Sequence, residues 1–300
     1  MGSELLTAII PIGPNHIEHN RIFDWLHEAN RFSENLKLLL IEDTGNVDSY
    51  FPQSDEMYLG LKNFEIHRKK LGGPGQARNF GLTLVQSPWV CFWDSDDLPR
   101  ISAVFQSILK SIDSNSEVVI GDFERVVGPY SNDKTLSNHK PNLRQVAIEP
   151  GIWRMAFKTK IIEEIEFESI RMAEDQIFLL DLDLADREIF FSGDVLYSYF
   201  VGSSNQLTSD TEAKQELTKA IHLIHKRIKL GDIQVNEFTA LMLLKLSLTF
   251  IKASPFKRKR IAIYSLLKSL MLLSGFRKMA ISYLLKTKYN SYLRRVLSDQ

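Results

Sequence analysis

Residues 89–97 read Trp-Val-Cys-Phe-Trp-Asp-Ser-Asp-Asp, an apolar run that passes directly into three carboxylates. Val90, Cys91, Phe92 and Trp93 have the continuous apolar character of a parallel strand covered on both faces. Asp94, Asp96 and Asp97 then share its C-terminal edge, the place where open α/β sheets bind ligands. Like charges this close raise one another's pKa unless a cation or hydrogen-bond donors compensate. Hard oxygen ligands suit Mg²⁺ or Mn²⁺, and such an ion keeps waters and binds through one or two carboxylates plus the phosphates of a substrate. A nucleoside diphosphate is the guest this chemistry implies. The competing reading is a solvated Asp-rich turn that caps the helix starting near Pro99.

Three further stretches carry chemistry of the same kind. Gly72-Gly73-Pro74-Gly75 precedes a helical pattern, and such loops bring backbone N–H groups and a helix N-terminus up to phosphates. The dinucleotide pattern GxGxxG fails because Arg78 stands at its third glycine, so Arg78 and Asn79 must act through their side chains. Glu42-Asp43 closes an apolar run, and Glu174-Asp175 opens a helical one; taken singly, each reads first as a strand-end turn or a helix cap. His16 with His19 and His222 with His225 are spaced i, i+3, but neither pair has a carboxylate nearby in sequence, and both read as satisfied or solvated imidazoles rather than metal ligands.

These residues need a scaffold, and the first 125 residues supply alternating strand and helix signals. Strands are expected at Leu5–Pro11, Asn35–Glu42, Phe64–Arg68, 89–93 and Val118–Phe123. Helices are expected at Asn20–Asn30, near Asp48–Tyr58, at Gln76–Val85 and at Ile101–Ser111. Such β-α-β repetition implies a mostly parallel sheet flanked by helices. Gly128–Pro141 is polar and reads as a long loop. Pattern resumes at Ile152–Phe157, a helix Glu174–Ala185 and strands Ile189–Phe191 and Val195–Phe200. Beyond Ser209 the signal is helical, over 211–230, 234–253, 257–273 and 276–297, with breaks near Gly231, Pro255 and Gly275. We therefore expect an α/β catalytic domain over 1–209 and an α-helical C-terminal region over 210–300.

Composition narrows the class. The 300 residues are 44% hydrophobic and 25% charged, a soluble globular profile. Cys91 is the only cysteine, which excludes an intrachain disulfide and a thiolate metal cluster and agrees with a reducing, cytoplasmic setting. Met1–Gly13 lacks the basic start and small-residue cleavage site of a secretory signal, and no apolar run reaches membrane-span length. The zero net charge conceals an asymmetry: residues 211–300 hold 18 Lys plus Arg against 5 Asp plus Glu. That basic tail reads either as a helical subdomain that packs on the catalytic part or makes a homodimer contact, or as an amphipathic surface against an anionic inner leaflet. Nucleic acid is the poorer partner, because no reading motif accompanies the charge.

The order of these stretches resembles the inverting glycosyltransferases with the GT-A fold, specifically the large family 2 that uses sugar nucleotides. Ile9-Ile10-Pro11-Ile12-Gly13-Pro14-Asn15 is similar to the family's first strand and turn. Ile41-Glu42-Asp43-Thr44-Gly45 resembles the acidic pair that holds base and ribose. Gly73 to Leu82 resembles the Gly-rich loop with its Ala-Arg-Asn helix start, and Phe92 to Asp97 the metal-binding DxD segment. Trp153-Arg154 and Glu174-Asp175 resemble the acceptor-side segment and the catalytic acidic pair, and Tyr197–Thr208, with Tyr199 and Ser204, the closing strand and loop. The chain departs from the pattern in the extra Gly-Pro of the first turn, in Glu42 for the usual Asp, and in Thr44-Gly45 for Gly-Ser, changes that bear on base recognition.

The resemblance, covering roughly residues 5 to 208, implies a set of roles. Asp96 would bind Mn²⁺ or Mg²⁺ directly, and Asp94 the ribose or the metal's water shell. Pro11, Ile12, Glu42, Asp43, Gly73, Arg78 and Ser95 would complete the nucleotide-sugar site. Asp175 would be the base, Glu174, Trp153 and Arg154 would support the acceptor, and Asp122 would touch donor sugar or acceptor. The implied reaction is inverting transfer from a nucleotide-sugar, UDP by family habit, to a hydroxyl of a saccharide or lipid-linked saccharide in bacterial surface-polysaccharide synthesis. The alternative is a degenerate member serving as a binding or scaffold subunit of a glycan assembly complex.

Overall fold

The structure is a computed structural model that describes residues 4–13, 21–44, 62–127, 134–136, 141–201, 216–255, 258–283 and 285–286. Its first half is built on four parallel strands, β1 (Leu6–Ile12), β2 (Leu36–Asp43), β3 (Phe64–Lys69) and β4 (Trp89–Phe92). All seven residues of β1 are buried, because β1 lies between β2 and β4 and both faces of the sheet are covered. Odd and even residues go to opposite cores, as a period of two requires. Ala8 and Ile10 pack with Trp25 and Ile108, whereas Ile9 packs with Phe92, Phe178 and Leu241.

Helices α1 (Ile22–Asn30) and α3 (Ile101–Asp113) thus cover one face, and α2 (Pro74–Leu82) and α5 (Glu174–Asp181) the other. Gly81 lets α2 seat on β1, since a Cβ there would lie 2.5 Å from Ile9 Cγ2. The sheet continues past β4 through β8 (Met155–Lys158), β6 (Val118–Val127), β9 (Ile189–Val201) and the two-residue β5 (Leu98–Pro99), with β7 (Lys134–Leu136) on β6. The strand order β3-β2-β1-β4 reverses direction between β1 and β4. That reversal opens a crevice at their carboxyl ends, the topological switch point of such sheets.

The C-terminal helices α6 (Leu217–Leu230), α7 (Glu237–Ala253) and α8 (Lys259–Leu272) lie against α4 (Leu143–Ile148) and α5. Leu241, Leu243, Leu244 and Phe250 of α7 share one buried core with Phe178 and Val146. At roughly 2 kcal/mol for each such side chain, this burial rather than helix propensity holds the layer in place. Boundaries follow local chemistry. Asn236 caps α7 by accepting from Thr239 N at 2.9 Å, Gly231 ends α6 at φ 84, and Pro255 follows α7.

Several expectations shift. Within the expected loop 128–141, Lys134–Leu136 pairs antiparallel with β6; the rest, apart from Pro141, lies outside the described residues, as do the expected helix near Asp48–Tyr58 and the pair His16 and His19. The helix from Glu174 stops at Asp181, because Asp183 takes a left-handed turn at φ 50 before a 3₁₀ turn at Leu184–Asp186. The two strands expected over 189–200 are one strand, paired parallel to β6 through an irregularity at Gly121–Asp122. Ile152–Arg154 is a 3₁₀ turn and only Met155–Lys158 is strand.

His225 of α6 is 3% exposed and shares a 2.8 Å hydrogen bond with Ser269 of α8, whose hydroxyl meets Ser247 of α7 at 3.1 Å. Burial first, and then the positive Lys268, His222 and Lys229, push its pKa down to about 4. A folded pKa below the unfolded value of about 6.5 means stability that is present above pH 6.5 and lost as pH falls toward 4. Circular-dichroism melts are expected to show a loss on the order of 3 kcal/mol across that window. His225→Gln is expected to flatten it, and an unchanged slope in that variant would remove His225 as the cause.

Candidate active site

The crevice at the β1/β4 reversal gathers residues from five segments. Beyond β4, Asp94 to Asp97 form a turn in which the three carboxylates diverge. Asp97 is fully buried and accepts from Phe200 N at 2.8 Å. Tyr197, also fully buried, bonds the same carboxylate and accepts from Asp94 N at 2.9 Å. Burial, reinforced by the neighbouring Asp96 and Asp94, raises the Asp97 pKa well above the carboxylate range. Asp97 therefore ties the turn to β9 from beneath, while Asp94 and Asp96 stay partly exposed on its outer side. Ser95 is buried, and its carbonyl accepts from Arg21 N at 2.9 Å.

The glycine loop is shaped from below by β2. Asp43 accepts from the backbone N–H groups of Leu71, Gly72 and Gly73 at 2.9, 2.8 and 2.7 Å. Gly72 and Gly73 sit at φ 96 and 141, where a side chain would be strained. Glu42 is fully buried and paired with Arg68 at 3.0 Å. Both acids thus engage the protein itself, and Asp43 sets the loop's course. Pro11 and Ile12, at the end of β1, are buried beside them.

Arg78 joins the two sides of the crevice. It is 5% exposed; Nη1 donates to Glu174 at 2.9 Å and Nη2 to Asp94 at 3.0 Å. Burial alone would lower its pKa, but the charges of Asp94, Glu174 and Asp175 outweigh it and leave the guanidinium raised and charged. The neighbouring Asn79 clamps residue 167 from both sides, Nδ2 to Phe167 O at 2.9 Å and Oδ1 from Phe167 N at 2.7 Å. Gly75 allows this approach, for a Cβ there would stand 3.0 Å from Glu168 O and 3.3 Å from Glu174 Cγ. The helix start expected to face phosphates is thus also the bracket that carries α5 to the aspartate turn.

Glu174 and Asp175 open α5 directly after Ala173, which is held at φ 71. A non-glycine residue there costs on the order of 1 kcal/mol and marks a backbone fixed by its surroundings. Burial first, then the like charge of Glu174, pushes the Asp175 carboxyl up to about 8 despite Arg78. Glu174 is raised as well, burial prevailing over its bond to Arg78. Two carboxyls in one site with separate surroundings, one bonded to a guanidinium and the other raised toward neutral pH, suit one for positioning and the other for proton transfer.

The remaining expected residues form the wall on the β9 side. Trp153 stacks on Tyr197 and Tyr199 with centroids 4.6 and 5.2 Å away. Gly151 leaves room for the indole, since a Cβ would fall 2.3 Å from it. Arg154 turns inward, 3% exposed, donating to Glu149 O at 2.7 Å with its guanidinium over Phe123; burial lowers its pKa to about 10. Asp122 sits at the irregularity of β6 and accepts from Phe123 N at 2.8 Å.

No group of three or more His, Cys, Asp or Glu suited to a metal occurs among the described residues. With Asp97 turned inward, the turn offers Asp94 and Asp96, a donor set that fits an ion completed by waters and the phosphates of a ligand rather than a protein cage. Tyr197 and Asp97 have structural parts in this site that the sequence reading did not assign, and the side chain of Asn79, expected to act in the glycine loop, engages the backbone of Phe167. The apolar partner strand of an Asp-rich turn is the signal that would have pointed to Tyr197.

No helix among the described residues is long and apolar enough to cross a membrane. In sequence, Staphylococcus aureus poly(ribitol-phosphate) beta-N-acetylglucosaminyltransferase TarP is 24% identical over 243 residues, covering 77% of this chain and 74% of that protein. In fold, the chain is similar to residues 1–349 of S. aureus TarS, solved with UDP, at a TM-score of 0.59 and 17% identity, covering 94% of this chain and 92% of that one. The Pyrobaculum calidifontis mannosyltransferase PcManGT, solved with GDP-Man and Mn²⁺, aligns at a TM-score of 0.55 and 14% identity, over 97% of this chain and 81% of that one. The mixed sheet with its flanking helices is the GT-A arrangement, followed by a helical C-terminal part. The Glycosyl transferase family 2 profile matches residues 29–186, more than half of the chain, and the chain belongs to that family of glycosyltransferases.

Proposed function

We propose that the protein transfers a hexosyl or N-acetylhexosaminyl group from a UDP-sugar to a hydroxyl of a bacterial surface polymer, with inversion at the anomeric carbon. The observation that carries this is the Arg78 bridge, which brings a raised carboxyl on α5 and the aspartate turn after β4 to one crevice. The acceptor hydroxyl oxygen attacks the anomeric carbon as the bond to the diphosphate breaks, and Asp175 takes the hydroxyl proton. Glu174 is held by Arg78 and orients the pair. A divalent ion held by Asp94 and Asp96 would neutralise charge on the departing diphosphate. The Asp43-shaped loop and the end of β1 flank the nucleotide, and the Trp153 wall faces the sugar acceptor.

The poly(ribitol-phosphate) specificity in TarP's name and the UDP bound to TarS support a UDP donor and an anionic polyol-phosphate acceptor. The proposal includes the division into a catalytic part over 1–209 and a helical region over 210–300, and a cytoplasmic site of action at a membrane face, where a lipid-linked acceptor would be presented. The scaffold reading is disfavoured by Asp175, since a raised, partly buried carboxyl costs stability that a binding subunit has no reason to bear.

Calorimetric titration with UDP, with and without Mn²⁺, tests the donor site. Binding is expected to need Mn²⁺ and to fall at least tenfold in Asp96→Ala. Equal binding without the ion, or in the variant, would refute the metal-assisted donor site.

A further inference from the structure

Helix α8 carries apolar side chains on two opposite sides, and among the described residues only one of those sides is covered. Ala262, Ser269 and Leu273 face the core. Ile263, Tyr264, Leu267 and Met271 line the opposite side and are 47, 68, 54 and 75% exposed. A contiguous exposed apolar patch of this kind marks an interaction surface.

Charge selects the partner. Between Glu237 and Asp299 the sequence holds 13 Lys plus Arg and not one Asp or Glu. Arg260 lies on the exposed face of α8, within one turn of Tyr264, and Lys268 flanks it. A second copy docking through the same face about a two-fold axis would set this cationic surface against itself. A soluble polyanion would meet the charge but would leave Leu267 and Met271 in water. An anionic bilayer surface answers both, with headgroups at the basic flanks and the apolar ridge at the acyl boundary.

We propose that the outer face of α8 is a membrane-docking face that seats the enzyme, in the plane of the surface, on anionic lipid. This gives residues to the membrane placement put forward above. It is read from binding alone, so it fails or stands separately from the transferase reading.

The test is co-sedimentation of the full chain with vesicles of phosphatidylcholine alone or with 30% phosphatidylglycerol. The wild type is expected to partition at least tenfold more strongly to the anionic vesicles and to lose most of that in 0.5 M NaCl. Leu267→Ser/Met271→Ser and Arg260→Gln/Lys268→Gln are each expected to weaken binding about tenfold, the first with an unchanged melting curve because Leu267 and Met271 are 54 and 75% exposed. Wild-type protein left in the supernatant, or variants that bind like wild type, would overturn the inference. So would an oligomer, seen by analytical ultracentrifugation, that Leu267→Ser/Met271→Ser dissolves, because that would make the face a contact between copies.

Discussion

Asp175→Asn is expected to lower transfer by about 100- to 10,000-fold while leaving UDP binding within about twofold of wild type. The amide keeps the shape of the carboxyl and its oxygen can still accept from Gln176 N, as Oδ1 does at 2.8 Å. What it cannot do is take a proton. A base must be deprotonated before it acts, and burial together with Glu174 raises this group to about 8, so kcat/KM in the wild type is expected to climb with pH and level off above about 8. The variant's residual rate should lack that limb. Stability should move the other way. A folded pKa raised above the unfolded value near 3.8 means stability lost as pH rises from about 4 through about 8. Removing the carboxyl should therefore leave the melt unchanged at pH 4 and raise it at pH 9. Loss of activity with gain of stability at alkaline pH distinguishes a working base from a structural carboxyl. Activity within tenfold of wild type would exclude Asp175 from proton transfer.

Much of this site was legible because the residues proposed to do its chemistry break local rules. An apolar strand ending in Asp94 and Asp96, and a glycine loop carrying Arg78 in place of a glycine, are conflicts between propensity and position, and such conflicts concentrate at function. The parallel strands were legible because double-sided burial leaves continuous apolar runs, as in β1 and β4. What was not legible depends on partners far apart in sequence. That Asp97 turns inward while Asp94 and Asp96 do not is decided by Tyr197 and the Phe200 N–H, about a hundred residues away. Whether Arg78 meets a phosphate or a carboxylate depends on where α5 arrives, and Asn79 and Gly75 set that across some ninety residues. The strand Lys134–Leu136 follows from the same cause, because the edge of β6 supplies a pairing that a polar sequence does not announce. The tail's charge was plain from composition, but only packing divides α8 into a face that joins the core and a face that does not.

Arg78→Met is expected to cost about 3–5 kcal/mol of unfolding free energy, read as a lower urea midpoint, because it strands Glu174 and deprives Asp94 of its cation while filling much the same volume. Arg78→Lys keeps the charge but not the fork. One ammonium cannot donate in two fixed directions to Asp94 and Glu174, and the lysine variant should fall between methionine and wild type. Glu174→Gln placed on top of Arg78→Met should recover part of the loss, since the buried charge left without a partner is then gone, and the coupling of the pair appears as the difference between double and single variants. Function should not recover with it. In the double variant α5 is no longer tethered to the aspartate turn, so the base and the donor site lose their common frame, and positional errors near 1 Å already cost about 100-fold in rate. A methionine variant within 1 kcal/mol of wild type would show that the fold does not depend on the bridge. A double variant that regained transfer along with stability would show that the crevice does not need Arg78 to hold its two sides together.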